Sequence, residues 1–154
     1  MNSPAESKFV YVTYIRTTPE QLWTALTSAE FAQKYWLGSR PEAEWKAHGS
    51  WKLIRPDGSV TDTGKIVEFT PAKRLAIRWR HEMRPELKAE GWSLCTIELE
   101  PEGAAVKLTV THSIERDGSK FIGAVSGGWP QILSNLKSLL ETGATILPPK
   151  ECRP

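Results

Sequence analysis

The 154-residue chain, 40% hydrophobic and 25% charged, has the length and composition of one ordinary folded domain, which argues against both a disordered segment and a two-domain enzyme. Its net charge of +2, from 20 basic and 18 acidic residues, is too balanced for an electrostatic nucleic-acid binder. The longest uncharged stretch, 121–136, is interrupted by Gly123, Gly127, Gly128 and Pro130 and falls short of the roughly 20 apolar residues of a membrane span.

Residues 9–15 are rich in β-branched and aromatic side chains and predict a strand. Only Lys8 and this short run stand where a secretory signal would need a longer apolar core and a small-residue cleavage site, so none is expected. Residues 1–8 are expected to be a flexible N-terminus. Thr18, Pro19 and Gln21 then spell a helix start, with Thr18 as N-cap, Pro19 in the first turn and Gln21 completing a capping box. Leu22, Trp23 and Leu26 would be its buried stripe. Ser28 caps a second short helix running to Trp36, with Phe31 and Tyr35 on one face and Gly38 beyond its end.

From about 41 to 113 the period changes to two, and turn residues at Pro56-Asp57-Gly58, Pro71-Ala72-Lys73 and Pro101-Glu102-Gly103 predict a six-strand antiparallel meander. In the last hairpin, Leu99 opposite Val106 places Cys95 opposite Val110 and His112 opposite Ser93 on the apolar face, while Glu98 meets Lys107 and Thr96 meets Thr109. The hairpin at Pro71, with Phe69 opposite Leu75, puts Val67, Ile77 and Trp79 inward, but Lys65 with them. Either Gly64 marks a bulge that changes the facing, or Lys65 reaches water at an open end of the sheet. Helical period returns after Gly118, with Trp129, Ile132, Leu133, Leu136, Leu139 and Leu140 on one broad face and Gly143 as C-cap. The helix is expected to begin near Ser119, and residues 144–154 are expected to be a flexible tail.

These elements make an α+β plan in which a long helix lies along a curved sheet and two short helices close one side. The motifs Thr-Pro-Glu-Gln-Leu-Trp-Thr-Ala-Leu-Thr (18–27), Lys-Tyr-Trp (34–36), Gly-Lys-Ile-Val-Glu-Phe-Thr-Pro-Ala-Lys-Arg-Leu (64–75) and Gly-Trp-Pro-Gln-Ile-Leu-Ser-Asn-Leu-Lys-Ser-Leu-Leu-Glu (128–141) resemble the START-related, or SRPBCC, superfamily. Within it they are most similar to the group named after the C-terminal domain of the activator of the ninety-kilodalton heat-shock-protein ATPase. The resemblance spans about 10–142 and implies a helix-grip fold over 9–143, in which a seven-stranded curved antiparallel sheet wraps around the C-terminal helix with a ligand cavity between them.

Seven tryptophans are distributed along the chain, and they read either as an aromatic core or as the walls of a cavity. On the second reading Trp129, Ile132, Leu133 and Leu136 face a hollow opposed by Trp51, Trp79, Cys95 and Val110, with Trp36 alongside, and the guest is a small apolar or aromatic molecule. His112 is the candidate polar or catalytic group, its alternative being a hydrogen-bonded histidine at a strand end.

Other chemistry is sparse. His81, Cys95 and His112 lack the close-spaced pair of a zinc site, Glu68 and Arg78 turn outward, residues 123–127 are not a Gly-x-Ser-x-Gly elbow, and no P-loop or dinucleotide fingerprint occurs. No metal or cofactor is expected. Cys95 and Cys152 do not suggest a disulfide, so a reducing cytoplasm fits. The leading expectation is ligand binding without a covalent step. The rivals are a small cyclase- or hydrolase-like enzyme using His112, and a co-chaperone-like or stress-response interaction module, although no residue pattern indicates a protein partner.

Overall fold

The computed structural model describes residues 5–149. Its elements follow in the order β1 (Ser7–Ile15), α1 (Pro19–Thr27), α2 (Ala29–Tyr35), β2 (Arg40–Ala43), β3 (Ser50–Ile54), β4 (Val60–Thr70), β5 (Arg74–His81), α3 (Pro85–Lys88), β6 (Ser93–Glu102), β7 (Ala105–Ile114) and α4 (Lys120–Thr142). The strands form one seven-stranded antiparallel sheet ordered β1-β7-β6-β5-β4-β3-β2, so α1 and α2 carry the chain from one edge to the other. Helix α4 packs over β1 and β7 and meets α2, while α2 packs on β2, α1 on β6 and α3 on β5.

Local chemistry explains the helix ends. Thr18 Oγ1 accepts from the Gln21 N–H at 3.2 Å and Ser28 Oγ from the Phe31 N–H at 3.2 Å, each satisfying a donor that its helix leaves free. The capping box at α1 is only half made, because Gln21 Oε1 accepts from Thr17 Oγ1 instead of reaching the N-cap amide. Leu22, Ala25 and Leu26 form the buried face, whereas Trp23 is half-buried with its indole edge-on to Phe69. After α2 the chain reverses through Leu37 and Gly38, both at positive φ.

The strand β1 starts at Ser7, two residues before the expected boundary. Ser7 Oγ donates to the Arg116 carbonyl at 2.7 Å and accepts from the Ser119 N–H at 3.0 Å, tying the strand start to the entrance of α4. There Ser119 caps Ile122 at 3.0 Å, and the Glu90 carboxylate accepts from the amides of Lys120 and Phe121. At the other end Gly143, at φ 85°, returns its N–H to Leu139. Beyond it, Asn135 Oδ1 accepts from the amides of Ile146 and Leu147 at 3.0 and 2.7 Å, and Nδ2 donates to the Leu147 carbonyl at 3.0 Å. The outer parts of both expected flexible ends, 1–4 and 150–154 with Cys152, lie outside the described residues.

Two registers depart from expectation. In the β6–β7 hairpin Leu99 faces Leu108, Ile97 faces Val110, Cys95 faces His112 and Glu100 faces Lys107, a shift of two residues. A two-residue shift keeps every side chain on its face, so the apolar pattern is blind to it. The turn decides instead: Pro101 and Glu102 stay in the strand, and the reversal is a tight loop at 103–104 with Gly103 at φ 62°. In the β4–β5 hairpin Phe69 faces Leu75 as expected, but a bulge at Val67 follows, so Ile66 faces Ile77 and Gly64 faces Trp79. The bulge is therefore at Val67 and not Gly64. It turns Ile66 into the core and Lys65 to solvent, and leaves Val67 exposed.

The meander is also interrupted by α3, which four residues are too short to announce by periodicity. Its Pro85 occupies the first turn and its Leu87 is buried.

Candidate functional site

Bending of the sheet gathers indoles from separate elements. Trp79 on β5 lies 4.4 Å from Trp51 on β3, 5.9 Å from Trp129 on α4 and 6.3 Å from Trp36 at the end of α2, measured between ring centroids. The rings meet in tilted and edge-on arrangements, the favourable geometries for aromatic pairs. They fill most of the space they surround. The void bordered by Trp36, Trp51, Trp79, Val110, Trp129 and Leu133 is about 20 Å³, room for about one water molecule. Cys95, His112 and Leu136 are fully buried and border neither this void nor the larger cleft described next.

The usable space is displaced toward one end of the sheet. A half-open cleft of about 240 Å³ lies between the first half of α4, the ends of β4 and β5, and α3. Four of the expected site residues, Trp36, Trp79, Trp129 and Ile132, border it. Phe121, Val125 and Leu87 extend the apolar wall, while Gly128 leaves the helix face open. The tryptophans therefore serve both readings: a solid aromatic core over the middle of the sheet and one wall of a cleft beside it. Trp92 does neither, lying on the surface with the Arg80 guanidinium 4.6 Å from its ring.

His112 is engaged on both nitrogens. Trp129 Nε1–H donates to Nδ1 at 3.2 Å, which leaves the ring proton on Nε2 to donate to Ser93 Oγ at 2.9 Å, and Ser93 in turn donates to the Trp79 carbonyl at 2.8 Å. The predicted neighbour Ser93 is thus its partner, though diagonally and not from the directly opposed position. Burial pulls its pKa down to about 3, with Asp62 opposing that shift, so the imidazole is neutral near pH 7. This chain of bonds fixes the core, and no lone pair or proton of His112 remains for a guest.

Three polar residues border the cleft, Asp62, His81 and Arg84, and the sequence pattern did not single out the first of them. Asp62, on β4, is buried and borders the cleft; its Oδ2 accepts from Trp79 Nε1–H at 2.7 Å and lies 3.3 Å from His81 Nδ1. His81, opposite Asp62 on β5, also borders the cleft. Its Nε2 is the only buried side-chain nitrogen or oxygen among the described residues without a hydrogen-bond partner. Such a group costs folding about 1–3 kcal/mol. The Val67 bulge hid this pair: without it, alternation from Phe69 sends Lys65 inward and Asp62 outward.

Outside the cleft, Glu82 is held by Arg80 at 2.7 Å, Thr63 at 2.8 Å and Lys88 at 3.2 Å, and chiefly the Arg80 hydrogen bond lowers its pKa to about 2. Glu68 pairs with Arg74 on the outer face, and Arg78 lies over Trp92. No three His, Cys, Asp or Glu side chains among the described residues group as metal ligands. No helix among them is long and apolar enough to cross a membrane.

A seven-stranded curved antiparallel sheet holding a long C-terminal helix, with two short helices after the first strand, is the helix-grip fold of the START-related superfamily. The family model described as "Activator of Hsp90 ATPase homolog 1-like protein" matches residues 16–141, and the chain belongs to that family. Among solved structures, protein MLL2253 from Mesorhizobium loti is similar at 24% identity and a TM-score of 0.75, over 88% of this chain and 97% of that one. PFC0360w, an HSP90 activator from Plasmodium falciparum, is similar at 23% identity and a TM-score of 0.70, over 86% and 95%. The Aha1 dimer from Colwellia psychrerythraea gives 20% identity and a TM-score of 0.70, over 89% and 98%. At these identities the likeness is one of fold. No curated protein matches the sequence.

Proposed function

We propose that the protein binds a small apolar or aromatic molecule in the cleft between the first half of α4 and the ends of β4 and β5, with no covalent step. The observation that carries this reading is a 240 Å³ space walled by Trp36, Trp79, Phe121, Trp129 and Ile132, with a polar pair at one side. Small-molecule sites share that composition, an apolar wall with a few placed polar groups. A dry apolar cavity of about 150 Å³ holds benzene, so this cleft suits a guest of one or two rings. A reaction run through His112 is not favoured, because both of its nitrogens are engaged in the core. The cytoplasm is the proposed setting, a reading supported by Cys95 being a free thiol.

Titration with 2-methylnaphthalene, followed by tryptophan fluorescence and melting temperature, tests the reading. Quenching with a rise in melting temperature is expected, because Trp36, Trp79 and Trp129 all border the space. No change in either signal up to the solubility limit would sink it.

A second reading, contact with a heat-shock ATPase, draws on the family and on the exposed row Val10, Val12 and Tyr14 along edge strand β1. Stimulation of such an ATPase, lost on changing this row to serine, is its expected signature; no stimulation rejects it.

A further inference from the structure

We propose that His81 Nε2, oriented by Asp62, is the polar anchor of the cleft and selects aromatic molecules that carry a hydroxyl group; this rests on the cleft being a ligand site. Three observations converge. Asp62 Oδ2 stands 3.3 Å from His81 Nδ1 and is itself fixed by the 2.7 Å bond from Trp79 Nε1–H, so the carboxylate has a set position. A carboxylate there accepts, which calls for a proton on Nδ1; with that single ring proton, Nε2 is a bare acceptor. That nitrogen is buried and meets no other protein group among the described residues, and the His81 side chain that carries it borders the cleft.

The chemistry of the complementary guest follows from those positions. It needs one hydrogen-bond donor at the edge of a flat apolar body that fits against Trp36, Trp79 and Trp129. A phenol-type O–H supplies this. A carboxylate guest lacks that donor, and the Arg84 guanidinium, which also borders the cleft, is already paired with Glu86 at 2.9 Å. Asp62 acts as a positioning residue and His81 as the contacting one.

The test compares 2-naphthol with 2-methylnaphthalene, in which a methyl group takes the hydroxyl's place, by calorimetric titration of the full-length protein. We expect the naphthol to bind about tenfold tighter, the value of one well-placed buried hydrogen bond, and the preference to vanish in His81→Phe. Because that variant could misfold, nitrogen NMR of the unaltered protein at about pH 8 supplies a second reading of the histidine tautomer. The expected signature is a proton on Nδ1 and an Nε2 resonance that moves with 2-naphthol and not with its methyl analogue. Equal affinities for the two probes, or a proton on Nε2 in the free protein, would overturn the hydroxyl selection while leaving an apolar cleft. Binding of neither probe would overturn both.

Discussion

The indoles of Trp51 and Trp79 meet at 4.4 Å across Gly64, which lies between them on the middle strand of three. The glycine is required by space: a Cβ at this position would come within 2.0 Å of the Arg78 carbonyl oxygen. Gly64→Ala is therefore expected to destabilise the fold by about 1–3 kcal/mol, as overpacking does. Urea unfolding measures the loss. The coupled circular dichroism of the two indoles should weaken in parallel, and a variant with unchanged stability and spectrum would show that the strand adapts freely.

Gly128 is the opposite case, since a Cβ there meets no atom within 4 Å. Gly128→Ala should raise stability by about 1 kcal/mol through helix propensity alone. Gly128→Leu extends into the cleft, so it should abolish binding of 2-methylnaphthalene without lowering the melting temperature. Retained binding would place the guest elsewhere.

Acid stability should fall in two windows. The folded chain holds His112 at about 3, whereas an unfolded histidine titrates near 6.5, so between those values only the unfolded state takes up the proton. Its contribution is complete above about pH 6.5 and is lost as pH falls toward 3, by up to about 1.4 kcal/mol per unit. Glu82, lowered from 4.5 to about 2, contributes above 4.5 and loses that contribution as pH falls toward 2. Urea midpoints across pH should therefore lose much of their slope between 6.5 and 4.5 in His112→Gln, whereas Glu82→Gln should alter it only below 4.5.

Ala72 turns the β4–β5 hairpin at φ 62°, where side chains other than glycine are strained. Ala72→Gly should stabilise by roughly 0.5–1 kcal/mol and Ala72→Val should destabilise, both readable as shifts in thermal midpoint. A loss of stability in the glycine variant would contradict the strain argument.

Most of the architecture was legible because its signals are local. Thr18 with Pro19, Ser28 and Gly143 mark helix ends through their own hydrogen bonding and backbone preferences, and the stripe from Trp129 to Leu136 marks the buried face of α4. The site was less legible because its geometry depends on single-residue irregularities. One extra residue at Val67 decides whether Asp62 or Lys65 points inward, and no average over alternating residues detects it. Likewise, two registers of the last hairpin satisfy the same polar and apolar faces, so whether Ser93 or Cys95 stands directly opposite His112 depends on where a two-residue loop falls. Tryptophan count, finally, says how much aromatic surface is buried but not whether the rings close on one another. Trp51 and Trp79 do, and the open space moved along the sheet.

The three hydrogen bonds of Asn135 carry a practical lesson for trimming this domain. A shortened version stopping after Gly143 would keep every helix and strand yet strip a buried amide of all its partners, so it should melt earlier and aggregate more readily than one retaining Leu147. The natural cutting point is set by that side chain and not by the last turn of helix.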